Sequence, residues 1–139
     1  MSKQTERIER ELKGAAEKVI RRYQLRAWQV LAVETPINFG TARSGWTPST
    51  GSPVDTAVTA PADETAARAA AAARLATNKA RAEAIAASYK IEQGRAFLTN
   101  AVPWIVPLNA GSSAQAPSNF VPLALNKAFR SLPRTLGSS

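Results

Sequence analysis

Histidine and cysteine are both missing from the 139 residues. Their absence removes Cys/His zinc sites, cysteine nucleophiles, disulfide frameworks and Ser-His-Asp triads together. The carboxylates include no pair that recurs in an apolar setting, as general acid–base catalysis needs, and no glycine-rich loop is placed to cradle a phosphate. The chain therefore reads as a non-enzyme with no cofactor and no metal site. What remains able to act is cationic or aromatic. No carboxylate follows Glu92, so Arg95, Lys127, Arg130 and Arg134 stand without local neutralisation and suit an acidic partner or a passing polyanion. Leu25 and Trp28 are apolar side chains that either enter the core or face another subunit, since aromatic anchors are typical of interfaces.

The overall balance is basic: 18 Lys+Arg against 10 Asp+Glu, a formal net charge of +8, with 45% apolar residues. That size and composition fit one domain over residues 1–139 with one modest core. The cationic excess is spread along the chain, and no finger, basic-zipper or ribonucleoprotein-sheet pattern accompanies it. Sequence-specific DNA reading is not expected. Nonspecific contact with phosphates needs only charge, so a small basic nonspecific DNA-binding protein is the alternative function. No run approaches the roughly 18 apolar residues that a membrane span requires.

These side chains must be positioned by a few elements. Ile8, Leu12, Ala15, Val19, Tyr23 and Val30 recur at helical spacing and fall within about 80° of one another, which predicts a long helix from about Thr5 to Val33 with this stripe buried. Arg7, Arg10, Lys18 and Arg21 lie opposite, as a solvated face, with Glu6/Arg10, Glu9/Lys13 and Glu17/Arg21 as i,i+4 pairs. Leu25 and Trp28 fall off the stripe. Pro36 ends the helix, and a strand is expected to begin near Gly45 or Trp46. Residues 47–60 are rich in Thr, Ser, Pro and Gly and read as a hairpin with a mobile tip, with Val54, Ala57 and Val58 in a short returning strand.

Pro61 sits where a first helical turn tolerates it, and the alanine-rich run from Ala62 to about Ser88 predicts a second helix with Ala71, Leu75, Ala82, Ile85 and Tyr89 on one thin face. Alanine removes little apolar area from water, so this helix should dock weakly unless another chain also covers it. Gln93 to Asn100 reads as a strand. A last helix follows, capped by Ser118 or Asn119, with Val121, Leu125, Ala128 and Leu132 on its buried face and Pro133 at its end. The fold class expected is α+β: a long N-terminal helix and a second, Ala-rich helix packed on a small, mostly antiparallel sheet, with a short C-terminal helix.

The order Thr35-Pro36-Ile37-x-x-Gly40-x-Ala42-Arg43-x-x-Trp46, then Asn100-x-Val102-Pro103-Trp104, Gly111-Ser112-Ser113 and Gln115-Ala116-Pro117-x-x-Phe120-Val121 resembles the neck and tail-completion proteins of tailed bacteriophages, the minor tail protein Z type. The likeness covers nearly the whole chain in one order. It departs at Asn38 and Phe39, where the family often has Asp and Thr, at Trp104 in place of Tyr, and at Asn109 in place of Glu.

The resemblance implies a virion structural protein, assembled in the host cytoplasm and carried in the neck or tail. It would form a homo-oligomeric ring, six-fold by analogy, that joins or completes the head–tail interface around the DNA channel. Its partners would be copies of itself, an adjoining connector or adaptor, a tail-tube or tail-terminator protein, and genomic double-stranded DNA touched nonspecifically. In that setting Leu25, Trp28, Trp46, Trp104 and Phe120 are candidate intersubunit anchors, with core filling as the alternative for each aromatic. Arg43, Arg95, Lys127, Arg130 and Arg134 are candidate contacts to the channel DNA or to an acidic partner, and Arg43 is alternatively a surface or hairpin-bracing side chain. The loop at 47–60 is either an ordinary hairpin tip or an extension that docks onto the neighbouring ring, and the family context favours docking.

Overall fold

A computed structural model describes residues 2–36, 40–103, 105–111 and 119–132. Helix α1 runs Lys3–Glu34, about 48 Å long at 1.5 Å per residue. It begins where the Ser2 hydroxyl accepts from the Thr5 amide and ends at Thr35, directly before Pro36. A single turn, α2 (Thr41–Ser44), leads into strand β1 (Trp46–Thr50). Helix α3 covers Glu64–Ser88, a 3-10 turn Ile91–Gln93 follows, and β2 is Ala96–Asn100. Two further helices, α4 (Ile105–Asn109) and α5 (Phe120–Arg130), complete the described chain. The architecture is α+β and mostly helical, and no described helix is long and apolar enough to cross a membrane.

The sheet corrects one expectation. β1 pairs antiparallel with β2, from Trp46 opposite Asn100 to Thr50 opposite Ala96. Residues 47–60 are therefore not a hairpin, and Val54, Ala57 and Val58 form no strand. The segment is held beside β2 instead, where the Thr99 hydroxyl donates to the Val54 carbonyl (2.8 Å) and the Gly51 amide to the Arg95 carbonyl (2.8 Å). A strand does begin at Trp46, but its partner arrives only after the whole of α3.

The second helix starts later than the proline suggested. Asp63 is its N-cap, accepting from the Ala66 amide at 2.8 Å, so Pro61 precedes the helix altogether. Asn119 is the N-cap residue of α5, yet its left-handed backbone (φ 60°) leaves its side chain out of the cap. Asn109, at the end of α4, caps instead: its side-chain oxygen accepts from the Val121 amide at 3.0 Å.

The core is assembled around the C-terminal half of α1. Ala27, Trp28, Val30, Leu31 and Ala32 are buried with Trp46 of β1, Ala82 of α3, and Ala124 and Ala128 of α5. Tyr23, Leu25, Leu75, Leu98, Val121 and Leu125 pack around this cluster. Many of these residues are alanines, which let helix backbones approach closely while contributing little buried area each.

Candidate functional site

Thr35, Ala42, Arg43, Trp46, Asn100 and Val102, six of the motif positions, converge on one joint between α1, α2 and the two strands. Thr35 is fully buried; its hydroxyl donates to the Leu31 carbonyl (2.6 Å) and accepts from the Trp46 indole N–H (2.8 Å). The Trp28 indole in turn donates to the Trp46 carbonyl (3.1 Å). Arg43 reaches back to the end of α1, its Nε donating to the Thr35 carbonyl (3.0 Å) and its Nη2 to the Val33 carbonyl (2.7 Å). No basic residue lies in the last turn of α1 itself, so Arg43 supplies from outside the cation that a helix C-terminus favours. Burial lowers the pKa of its guanidinium, an effect that nearby Glu34 opposes.

Strand and helix ends meet the same joint. Asn100 donates from Nδ2 to the Ala42 carbonyl (2.8 Å) and accepts at Oδ1 from the Val102 amide (3.1 Å). Asn78, buried on α3, donates to the Ser44 carbonyl (3.0 Å), and Arg74 donates to the Ser44 hydroxyl (2.9 Å). Two glycines make this closeness possible. Gly40 has φ +85°, the left-handed region that side chains rarely adopt. A Cβ at Gly45 would lie 2.7 Å from Asn100 Oδ1 and 2.8 Å from Val102 Cγ2.

The candidate anchors are thereby sorted. Trp28, Trp46 and Phe120 are buried within this protomer, so they are core residues and not exposed anchors for a second copy. Leu25 packs at the edge of the core, half-buried. Trp104 lies outside the described residues. Of the candidate cations, Arg43 is a brace of α1 and α2, and Lys127 pairs with Glu34 at 2.8 Å. Arg95 and Arg130 are exposed, and Arg134 lies outside the described residues. Among the described residues no three carboxylates converge as a metal site would require.

The larger correction concerns the stripe on α1. Its C-terminal members are covered: Val30 is buried, and the Tyr23 ring meets Phe129 of α5 edge-on with centroids 6.1 Å apart. Its N-terminal members are not, for Ile8 is 47% exposed, Leu12 63% and Val19 39%. The face turned toward the rest of the molecule is instead the line of Glu17, Gln24 and Leu31, all buried, about 150° around the helix from the stripe.

Polar groups make that contact. Gln24 Nε2 donates to the Ser49 carbonyl (3.1 Å) and the Phe97 carbonyl (2.8 Å), tying the helix to both strands. Arg21, expected on the solvated face, donates to the Tyr89 carbonyl through both Nε and Nη2. Glu17 lies 3.6 Å from both Arg21 and Lys90, and Lys13 reaches Glu92 at 3.6 Å instead of Glu9. Glu92 is held below the usual carboxylate range by its backbone hydrogen bond first, and by Lys13 and Lys90 in addition. Sequence reasoning paired Glu17 with Arg21, as found, but set them on a solvated face, and it missed Gln24 and Asn78, because a buried polar residue at helical spacing looks like a surface one until its partner is known.

A second apolar surface lies between α1, β2 and α5. It is a groove of about 720 Å³ whose walls include Tyr23, Ile91, Phe97, Val121 and Leu125, with Arg95 at hand. Every residue of β2 is only half-buried. Leu123 and Phe129 on α5 and Val106 on α4 are also exposed. No protein-family model, curated protein or solved structure matches the chain.

Proposed function

We propose that this chain is a virion structural subunit that forms a homo-oligomeric ring in a bacteriophage neck, joining or completing the head–tail interface around the DNA channel. Its action is assembly, with no chemical step. The observation that carries the reading is the uncovered half-stripe of α1: Ile8, Leu12 and Val19 form a continuous apolar line in water on a helix whose opposite side is already docked. Apolar surface left contiguous in this way marks an interaction site. A subunit that closes a ring gains the missing burial by mass action.

The order of motifs shared with neck and tail-completion proteins supplies the particle and the partners: further copies, a connector or adaptor on one side, and a tail-tube or tail-terminator protein on the other. The joint that binds Thr35, Arg43, Trp46 and Asn100 into one hydrogen-bonded unit supports the likeness, since those are motif positions with a shared structural task. The alternative of a small basic DNA-binding protein draws less support. Arg21, Arg43 and Arg74 donate to groups of their own chain, and Lys13, Lys90 and Lys127 face carboxylates.

Mass photometry with negative-stain imaging of the purified chain tests the proposal. Closed rings of uniform copy number are expected at high protein concentration. Monomers alone at the highest soluble concentration, together with tight duplex binding that survives physiological salt, would replace this reading with the DNA-binding one.

A further inference from the structure

We infer that copies of this chain associate head to tail, with the N-terminal half of α1 from one subunit seated in the groove between α1, β2 and α5 of the next. The inference rests on the assembly reading above and names the surfaces that assembly uses. The joint has two halves, and neither is covered by the described residues of one protomer. The projecting stripe offers Ile8, Leu12 and Val19, with Ala15 between them to permit close approach. The groove offers Tyr23, Phe97, Val121 and Leu125 over about 720 Å³.

The stripe cannot fill its own groove. Both lie on one unbroken helix, the groove bordered by α1 residues 20–31 and the exposed stripe by residues 8–19, with Tyr23 where the two meet. A rigid helix does not fold back on itself, so the occupant comes from another molecule. Charge selects the orientation. Glu9 stands exposed at one edge of the stripe, whereas Glu11 at the other edge is already paired with Arg7 (3.9 Å), and the groove carries exposed Arg95. Seating the stripe with Glu9 toward β2 brings a carboxylate to that cation, which favours this encounter over the stripe meeting its own like.

Symmetry gives the consequence. Stripe against stripe would be a self-complementary contact that stops at two copies and leaves the groove open. Stripe in groove is heterologous, so it repeats from copy to copy and closes when the rotation between neighbours divides a full turn. A ring is the product of the second contact alone.

The chain has no native cysteine, which makes disulfide trapping a direct test. Leu12→Cys and Phe97→Cys are made singly and together and oxidised in the assembled protein, with mass photometry run in parallel. The double variant is expected to give a ladder of covalent oligomers on a non-reducing gel, and a mixture of the two single variants to give dimers only. Leu12→Glu is expected to abolish the oligomer while leaving the melting midpoint of dilute monomer unchanged, because Leu12 is 63% exposed there.

If oligomers form but positions 12 and 97 fail to cross-link, or if Leu12→Cys alone yields dimers, the docking is wrong and assembly proceeds by another surface. Persistence of the oligomer in Leu12→Glu likewise overturns the docking. Monomers alone in the unmodified protein overturn the assembly reading itself, and the docking with it.

Discussion

The two halves of α1 share one periodicity and meet opposite fates. Over residues 20–34 the helix is enclosed by α3, α5 and β1, and Ala27, Trp28, Val30 and Leu31 are buried. Over residues 3–19 the same stripe continues through Ile8, Leu12 and Val19 into water. There the described residues meet the helix from the other side, through Glu17 and Lys13. An apolar stripe thus specifies that a face is to be covered and says nothing about which chain covers it. In this protein coverage by the described body of the same chain ends partway along a single helix.

Truncating one leucine in each half gives the sharpest contrast. Leu31→Ala should cost about 2–5 kcal/mol, since the side chain is 1% exposed and leaves a cavity. Leu12→Ala should change monomer stability by less than about 0.5 kcal/mol. Urea denaturation at low protein concentration measures both, and equal losses would erase the distinction between the halves. Next in size, Thr35→Val should cost about 1–3 kcal/mol by leaving the buried Trp46 indole N–H without an acceptor, and Thr35→Ser should recover most of it.

Gly45→Ala tests whether the joint that fixes the C-terminal half tolerates a methyl group. Its Cβ would meet Asn100 and Val102 below 3 Å, so a loss of about 1–3 kcal/mol is expected in the same denaturation assay. The smallest effect belongs to the exposed half. Glu92 has a folded-state pKa depressed by its backbone hydrogen bond and by Lys13 and Lys90. Its contribution is therefore present above the ordinary carboxylate pKa and disappears as pH falls through the folded value. Glu92→Gln should melt slightly below the unmodified chain at neutral pH and level with it in acid, and the gap should narrow in high salt. Thermal melts across pH and salt check this; a gap that widens in acid would reverse the assignment.

Local signals in the sequence were strongest at breaks and ends. Pro36 stops α1 one residue after its C-cap, Trp46 opens β1, and alanine content marks α3 almost to its last residue. The C-terminal helix likewise buries Ala128 and half-buries Val121 and Leu125 as its spacing suggested, with Ala124 added. The strand partner was not legible, because pairing β1 with β2 rather than with the nearby Val54 segment depends on where α3 returns the chain. Nor was the site: Trp28, Trp46 and Phe120 look equally suited to a core or an interface until their burial is known. Gln24 has no signature beyond its spacing, and its importance comes from two carbonyls on strands far along the chain.

The sequence by itself determined the three long helices and the two strands, the exclusion of histidine and cysteine chemistry, and the fact that α1 carries an apolar line longer than a small domain covers. Those properties depend on residue type and on separations of a few positions, which the chain states directly. Tertiary structure alone decided which side of α1 faces the body and that Arg43 braces a helix end. It also decided that the aromatics fill the protomer's core while Ile8, Leu12 and Val19 stay uncovered. The reason is physical: a helix can dock through buried hydrogen bonds as well as through its apolar stripe, and the choice between them is made by groups that lie far apart in the chain.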